Sequence, residues 1–197
     1  MTNKLLFAAL AATAATLPAA AQAQRVPSAV VAVVDTDRIA AECTACRAAA
    51  GQLRTQENTL RTRAQALQQQ LQTQGQPIQT AVNALNGRQP DAALQQRITA
   101  FQTAERNAQQ ELATGQRNLQ CTQANVNRQI GARLNTIVSS VAASRGANMA
   151  VDRGTTLFAA PSVDITNEVL ALLNRQLPSV SVTPLPQTQH QQQTQGR

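Results

Sequence analysis

The side chains with the most reactive chemistry in this sequence are three cysteines and one histidine. Cys43 and Cys46 form a Cys-X-X-Cys motif near the start of a long helical segment. A thiolate at a helix N-terminus is typical of thioredoxin-like redox sites, but no βαβ pattern surrounds this motif. Zinc would need further ligands, and only Cys121 and His190 are available. We therefore predict no metal site and no cofactor.

A disulfide is the third interpretation of the motif. Cysteines three positions apart on a helix can approach bridging distance, and disulfides persist in oxidising compartments. We take Cys43 and Cys46 as a candidate disulfide. If the helices fold as a hairpin about positions 88–89, Cys121 lies opposite position 56, about 15 Å along the helix from Cys46. Cys121 is then expected to be unpaired within the chain or linked between chains.

The residue sets of an enzyme active site do not occur in this sequence. We find no Ser/His/Asp set, no carboxylate pair that a pocket would hold and no glycine-rich phosphate loop. His190 lies alone in a polar tail, where a solvated role is the usual one. The prediction is that the chain has no catalytic residue and is not an enzyme.

The first 23 residues have the pattern of a secretory signal peptide. Lys4 supplies the positive charge, residues 5–17 are apolar but too short to cross a bilayer comfortably, and Ala21-Gln22-Ala23 is a cleavage signal. Cleavage is predicted between Ala23 and Gln24. The alternative, an uncleaved membrane anchor, is disfavoured by that signal. We expect the mature chain to be soluble and outside the cytoplasm.

The mature chain is basic and almost free of aromatic residues. The sequence has 17 basic residues, so removal of Lys4 leaves 16, all arginine, against 10 acidic residues, a net charge of +6. Such a charge favours anionic partners, such as lipid head groups or acidic proteins. Nucleic acid is excluded as a partner, because only Phe101 and Phe158 remain to stack on bases.

Residues 38–146 are predicted to form a long antiparallel helical hairpin with its tip at residues 86–91. The first helix is expected from Arg38 to Leu85 with Asp37 as its N-cap, and the second from an N-cap at Asp91 to Arg145. Apolar residues recur in a 4-3 pattern typical of a coiled-coil seam. Polar or small residues interrupt this seam, and a kink or local break of the helix is expected near Gly75. The interrupting positions are Glu57, Gln74, Glu105, Gly115 and Thr122.

Residues 24–37 and 147–177 are predicted to form a small base that holds the hairpin. Residues 30–34 should be a buried strand, and residues 147–152 and 155–160 a two-stranded hairpin. A short helix should follow an N-cap at Asp164 and end before Pro178. Residues 178–197 are rich in Pro, Ser, Thr and Gln, and we expect them to be disordered. The fold class is thus mainly α with a small β base.

The order of these parts resembles the Skp/OmpH family of periplasmic chaperones. The resemblance depends on the two ends of the hairpin, because the hairpin itself is low in sequence information. The matching segments are Val30–Val34 followed by Asp35, Met149-Ala150-Val151-Asp152, Leu157-Phe158-Ala159-Ala160 and Asp164 to Leu170. Two departures are notable: this chain uses arginine and glutamine where relatives often have lysine, and its tail after Pro178 has no counterpart that we can assign.

The resemblance implies a jellyfish-like homotrimer, in which short strands form a central β-barrel for oligomerisation and three helical arms surround a cavity. It implies an ATP-independent holdase that keeps unfolded outer-membrane proteins from aggregating. Lipopolysaccharide surfaces are a further partner of relatives, although no matching motif occurs here. The alternative is a structural or adaptor coiled coil of the cell envelope with one specific partner.

Overall fold

The structure is a computed structural model that describes residues 28–184. The predicted signal peptide with its cleavage site at Ala23 and Gln24, and His190, lie outside the described residues. The described part is mainly helical with one small sheet. In chain order the elements are β1 Val31–Val34, α1 Thr36–Glu42, α2 Thr44–Ala84, α3 Ala92–Ser144, β2 Met149–Asp152 and α4 Thr166–Gln176.

Helices α2 and α3 form the long hairpin that the sequence predicts. They have 41 and 53 residues, so their lengths are about 60 and about 80 Å at the usual rise of an α-helix. At the tip, Asn86 and Gly87 both adopt positive φ angles, which Asn and Gly tolerate best. The Asp91 carboxylate accepts a hydrogen bond from the Leu94 N–H at 2.8 Å, so the predicted N-cap of the second helix is confirmed.

The start of the first helix differs from the prediction. The helix is not continuous from Arg38, because the backbone of Cys43 is extended and separates α1 from α2. The N-cap of α1 is Asp35 and not Asp37: its carboxylate accepts a hydrogen bond from the Arg38 N–H at 2.8 Å. The break at Cys43 allows α1 to pack into the base while α2 leaves along the arm.

The positions at which α2 contacts α3 also differ from those of the predicted heptad. Glu57 and Gln74 are exposed, and their neighbours Gln56 and Gly75 are partly buried in their place. The partly or fully buried positions recur in steps of three, four and four, which repeat every 11 residues. They are 53, 56, 60, 64, 67, 71, 75 and 78. An 11-residue repeat suits a nearly straight helix better than a heptad does, because 3.67 residues per turn is close to the natural 3.6.

The predicted kink near Gly75 corresponds to no break in the helix, which runs through Pro77 to Ala84. A Cβ atom added to Gly75 would lie 3.1 Å from the ring of Phe101 on α3. The glycine therefore makes room for the one aromatic ring of the hairpin. Gly115 has the same role on the other helix, where a Cβ atom would lie 2.6 Å from the Leu60 Cδ1 atom.

The base contains a two-stranded parallel sheet in place of the predicted hairpin. Val31 pairs with Met149, and Val34 pairs with Asp152. The 155–160 segment is not a strand: a 3₁₀ turn at Arg153–Thr155 ends β2, and Leu157 and Phe158 are exposed. The local β-propensity of 155–160 was misleading because the partner of β2 comes from the other end of the arm.

The largest core cluster lies where the arm meets the base. It is built from β1, α1, the first turn of α2, the last turns of α3, and α4. Its fully buried members include Ile39, Cys43, Ile137, Val169 and Leu173. The N-cap of α4 is Ile165 and not the predicted Asp164, although the Asp164 carboxylate accepts a hydrogen bond from the Thr166 N–H at 2.8 Å. The helix ends at Gln176, before Pro178, as predicted.

The predicted disorder of residues 178–197 is wrong for its first part. Residues 178–184, which we call the strap, lie along the groove between α2 and α3. Val180 and Val182 pack against a second core cluster of Ala49, Leu53 and Val126. The prediction failed because these contacts come from residues far away in the sequence. The remainder of that tail is outside the described residues.

Two glycines of α3 test the close packing of the hairpin. The Gly131→Ala variant should raise the free energy of unfolding by about 1 kcal/mol, because Ala favours a helix and nothing lies within 4 Å of the added methyl group. Gly115→Ala should bring no such gain, because Leu60 must leave its position. Urea unfolding followed by circular dichroism measures both. Equal stabilisation by the two substitutions would contradict the proposed contact.

Candidate functional site

The two cysteines of the Cys-X-X-Cys motif lie at the junction of arm and base. The Cys43 N–H donates to the Ile39 carbonyl at the end of α1, and the Cys46 N–H donates to the Cys43 sulfur at the start of α2. The Thr44 N–H donates to the Asn174 side chain of α4 at 2.9 Å. The motif therefore forms the corner at which three helices meet.

The structure joins Cys43 and Cys46 by a disulfide, with their Cα atoms 5.1 Å apart. Cys43 is fully buried and Cys46 nearly so. Reactive redox cysteines are partly exposed, so this burial favours a structural disulfide over a thioredoxin-like site. Cys121 lies on α3, half-buried, and is free. We propose that the Cys43–Cys46 disulfide forms in the oxidising compartment to which the chain is exported.

At the base, a polar network that the sequence did not reveal connects the segment before the arm with the segment after it. Asp152, at the end of β2, accepts hydrogen bonds from the Thr36 hydroxyl at 2.7 Å and from the Thr36 N–H at 3.1 Å. The Thr166 hydroxyl accepts from the Asp35 N–H at 2.9 Å. Arg153 donates to the Asp164 carboxylate at 3.1 Å. These bonds hold α1 and α4 against the short sheet.

The network lowers the pKa of two carboxyl groups. The pKa of Asp152 is below its ordinary value, first because of the hydrogen bond from the Thr36 hydroxyl and then because of the Thr36 N–H. The pKa of Asp164 is lowered by hydrogen bonds from Thr166 and further by the charge of Arg153. Both groups are thus held as carboxylates, which accept these hydrogen bonds better than carboxylic acids do.

The positive charge of the chain is concentrated on the arm. Between Thr44 and Ser144 there are ten arginines, all exposed, and four acidic residues. Arg61 pairs with Glu57, and Arg63 forms a two-point contact with Glu111 across the hairpin, but the other eight form no ion pair with residues 28–184. The arm is therefore a basic surface on which most guanidinium groups have no carboxylate partner within residues 28–184.

The hairpin has two shallow grooves near the base, one on each face. The first, of about 350 Å³, is lined by Leu53, Leu119, Val126 and Ile130, with Arg54 and Glu57 at its rim. The second, of about 540 Å³, lies on the strap face. Its lining includes Gln56, Leu60, Gly115, Asn118, Val182 and Pro184. Both are open, elongated surfaces and not enclosed pockets of the kind that fit one small molecule.

The strap face shows a set of amide side chains that sequence reasoning missed. Gln56, Asn125 and Gln129 all donate hydrogen bonds to backbone carbonyls of the strap at 3.0 Å. In the sequence they are three of many Gln and Asn residues on a polar helix, and nothing marks them. The alternation of Val180-Ser181-Val182-Thr183 is the one local signal of an extended, half-buried segment.

None of the helices between residues 28 and 184 has both the length and the apolar content that a membrane crossing requires. In the same residues, no three His, Cys, Asp or Glu side chains are grouped closely enough to hold a metal ion.

These features define a class of protein: a long, basic helical hairpin mounted on a small base whose parallel strands come from the two ends of the arm. The family of outer membrane proteins described as OmpH-like matches residues 30–173. That match covers most of the chain, including both halves of the base. The chain belongs to this family, and the resemblance inferred from the sequence is confirmed.

A solved structure has the same fold. It is a protein from Caulobacter crescentus CB15 with the provisional designation of an OmpH-like outer membrane chaperone. The two structures superpose with a TM-score of 0.65, over 82% of this chain and 94% of the other, at 17% sequence identity. At this identity the likeness establishes the fold alone. None of the curated proteins matches this sequence.

The disulfide can be tested by peptide mapping. Trypsin should cut after Arg38 and Arg47, so that Cys43 and Cys46 remain in one peptide. Without reductant, this peptide should be about 2 Da lighter than after reduction, because a disulfide lacks the two thiol hydrogens. Cys121, in another peptide, should react with iodoacetamide in the folded or unfolded chain. A Cys46–Cys121 peptide would contradict the assignment.

The base network predicts a loss of stability in acid. The pKa values of Asp152 and Asp164 are lowered by folding, so their contribution is complete at neutral pH and disappears as the pH falls from about 4 through the folded values. Asp152→Asn should therefore lower the Tm at pH 7 and narrow the Tm difference between pH 7 and pH 3. Asp37→Asn, at an exposed position of α1, is the control. Parallel Tm curves for Asp152→Asn and the parent would contradict the network's role.

Proposed function

We propose that this protein is an ATP-independent periplasmic holdase, which binds unfolded outer-membrane proteins between its flexible arms and prevents their aggregation. The observation that carries the proposal is the family match over residues 30–173, which includes the arm and both halves of the base. The name of the Caulobacter crescentus neighbour, an outer membrane chaperone, agrees with this role. The predicted signal peptide provides the route to the periplasm.

The surface of the arm suits a chaperone that holds many clients. Such a protein needs an adaptable surface with many weak contacts, and the grooves of the hairpin are open and lined by both apolar and polar side chains. The positions between the helices mix leucines with small side chains such as Ala, Gly and Thr. A hairpin with such a core can bend at modest energetic cost, so that the arms can adjust to clients of different size.

The charge of the arm supports the choice of client. Ten exposed arginines, eight of them without an ion pair in residues 28–184, create a positive field around the hairpin. This field attracts anionic polypeptides and speeds their capture over the Debye length of about 8 Å at physiological salt. Anionic lipid and lipopolysaccharide surfaces are further partners that the same charge would favour.

The base supports the assembly of three copies. A two-stranded sheet has only marginal stability by itself, and further strands normally stabilise such a sheet. Four apolar side chains around this sheet are about half exposed or more: Val30 and Met149 at 49%, Phe158 at 82% and Leu157 completely. We infer that these residues bury against the same region of neighbouring copies. A closed ring of three such bases would place the arms around one cavity.

Light scattering of the mature chain, with and without a client, tests the proposal. The protein alone should have the mass of three chains. An unfolded β-barrel protein diluted from urea should stay soluble at one trimer per client, with no nucleotide present. The double variant Leu157→Asp/Phe158→Asp should be monomeric and lose the protection, because it charges the inferred interface. Val82→Asp, at an exposed site on the arm, is the matched control.

Two results would overturn the proposal. Aggregation of the client at the same rate with and without the parent protein would exclude a holdase. Selective recovery of a single envelope protein, with no protection of unfolded clients, would support the adaptor role instead. A monomeric parent that still protects the client would remove the trimer and leave the holdase.

A further inference from the structure

The hydrogen bonds between the strap and the arm all use backbone groups of the strap. The carbonyls of Ser181, Val182 and Thr183 each accept a hydrogen bond at 3.0 Å from an amide side chain of the hairpin. The Ser181 N–H donates to the Gln129 amide oxygen, also at 3.0 Å. Gln129 therefore makes the paired donor and acceptor contacts that a neighbouring β-strand would make. Contacts of this kind do not depend on the side chains of the bound segment.

The side chains of the strap add an alternating apolar pattern. Val180 and Val182 are partly buried on Leu53 and Val126, whereas Ser181 and Thr183 point outward and share a hydrogen bond at 2.9 Å. The groove thus accepts one apolar side chain at every second position of an extended segment. It continues past Pro184 toward Leu60, Arg63 and Gly115, so a longer segment would find more surface.

A segment of this kind is common in one class of polypeptide. Strands of outer-membrane barrels alternate apolar and polar residues over about ten positions. When such a protein is unfolded, its strands are extended segments with free backbone groups and an apolar residue at every second position. The strap has the same pattern in miniature. It occupies the groove in the form that an unfolded barrel strand would take.

We propose that the groove formed by Gln56, Asn125 and Gln129 with Leu53 and Val126 is a binding site for extended β-strand segments, and that the strap is its built-in competitor. This inference rests on the proposed holdase function and specifies where a client would bind. A client segment displaces the strap and takes over its backbone hydrogen bonds. When no client is present, the strap covers the apolar surface.

Competition between the strap and a client segment should lower the apparent affinity of the groove for the client. A tethered segment has a high effective concentration, in the millimolar range for short linkers, and only the fraction of molecules with an open groove can bind a client. A variant that releases the strap should therefore bind strand segments more tightly than the parent. A variant that lacks the amide donors should bind them more weakly, whether or not the strap is released.

Three variants separate these effects. Val180→Ser/Val182→Ser should release the strap without shortening the chain. Gln56→Ala/Gln129→Ala removes two of the amides, and the combination of all four substitutions tests the groove with the strap released. Gln69→Ala/Gln116→Ala, at exposed positions elsewhere on the arm, is the matched control for loss of glutamine. Circular dichroism should show the same helix content in all of them.

The first measurement uses a fluorescent peptide with the sequence of residues 178–184, and fluorescence anisotropy reports its binding. The released variant should bind the peptide at least about fivefold more tightly than the parent does, because the groove is no longer blocked. The variant with all four substitutions should lose this gain, and the Gln69/Gln116 control should match the parent. Equal affinity of the parent and the released variant would overturn the proposal.

The second measurement repeats the client aggregation assay. The released variant should protect the unfolded barrel protein at a lower molar ratio than the parent, and the Gln56/Gln129 variant should need a higher one. If the parent protects the client and all variants are equal to it, the groove is not the site, although the holdase function stands. If the parent does not protect the client, the proposed function fails, and with it the role of the groove in client binding.

Discussion

The parallel pairing of β1 with β2 is the constraint on which the rest of the molecule depends. The two strands lie side by side from Val31–Met149 to Val34–Asp152, although the whole arm separates them in the sequence. Parallel strands always need a crossover connection, and here the crossover is the α2–α3 hairpin itself. The sheet therefore fixes where both ends of the arm return. Helix α4 and the core around Ile39 and Ile137 then seal the junction.

Such a short sheet holds the arm only with help from polar side chains. Asp152 accepts hydrogen bonds from Thr36, and the Thr166 hydroxyl accepts one from the Asp35 N–H. Each bond therefore joins the segment before the arm to the segment after it. Along the arm the connection is different: small residues let the helices approach. Gly75 admits Phe101, and Gly115 admits Leu60. The base thus combines directed hydrogen bonds with the largest apolar core, whereas the arm depends on complementary shape.

Most of the arm, but little of the strand pairing, could be predicted from the sequence. The tip, the N-cap at Asp91 and the end of α3 are encoded by local residues, and local signals survive in the fold. The break at Cys43 carries no such signal, because cysteine is not a helix breaker. The prediction of a strand at 155–160 was wrong because it used local β-propensity, whereas the strand that pairs with β2 is β1, which is distant in the sequence. The prediction of disorder for the strap was wrong for the same reason, because its hydrogen-bond partners lie 52 to 126 residues away in the sequence.

The strap contacts also give a physical meaning to the glutamine-rich composition of the arm. A glutamine amide can both donate and accept hydrogen bonds, and a flexible side chain lets it reach a backbone group in many positions. Each such bond contributes only about 1 kcal/mol net, so no single one fixes a partner. Gln56 and Gln129 show this use on a segment of the chain itself. Arginine attracts anionic chains over a long range. An amide side chain acts only in direct contact, where it can form hydrogen bonds with the backbone of any sequence. If the proposed function holds, an arm with both would capture an extended chain and still let it leave.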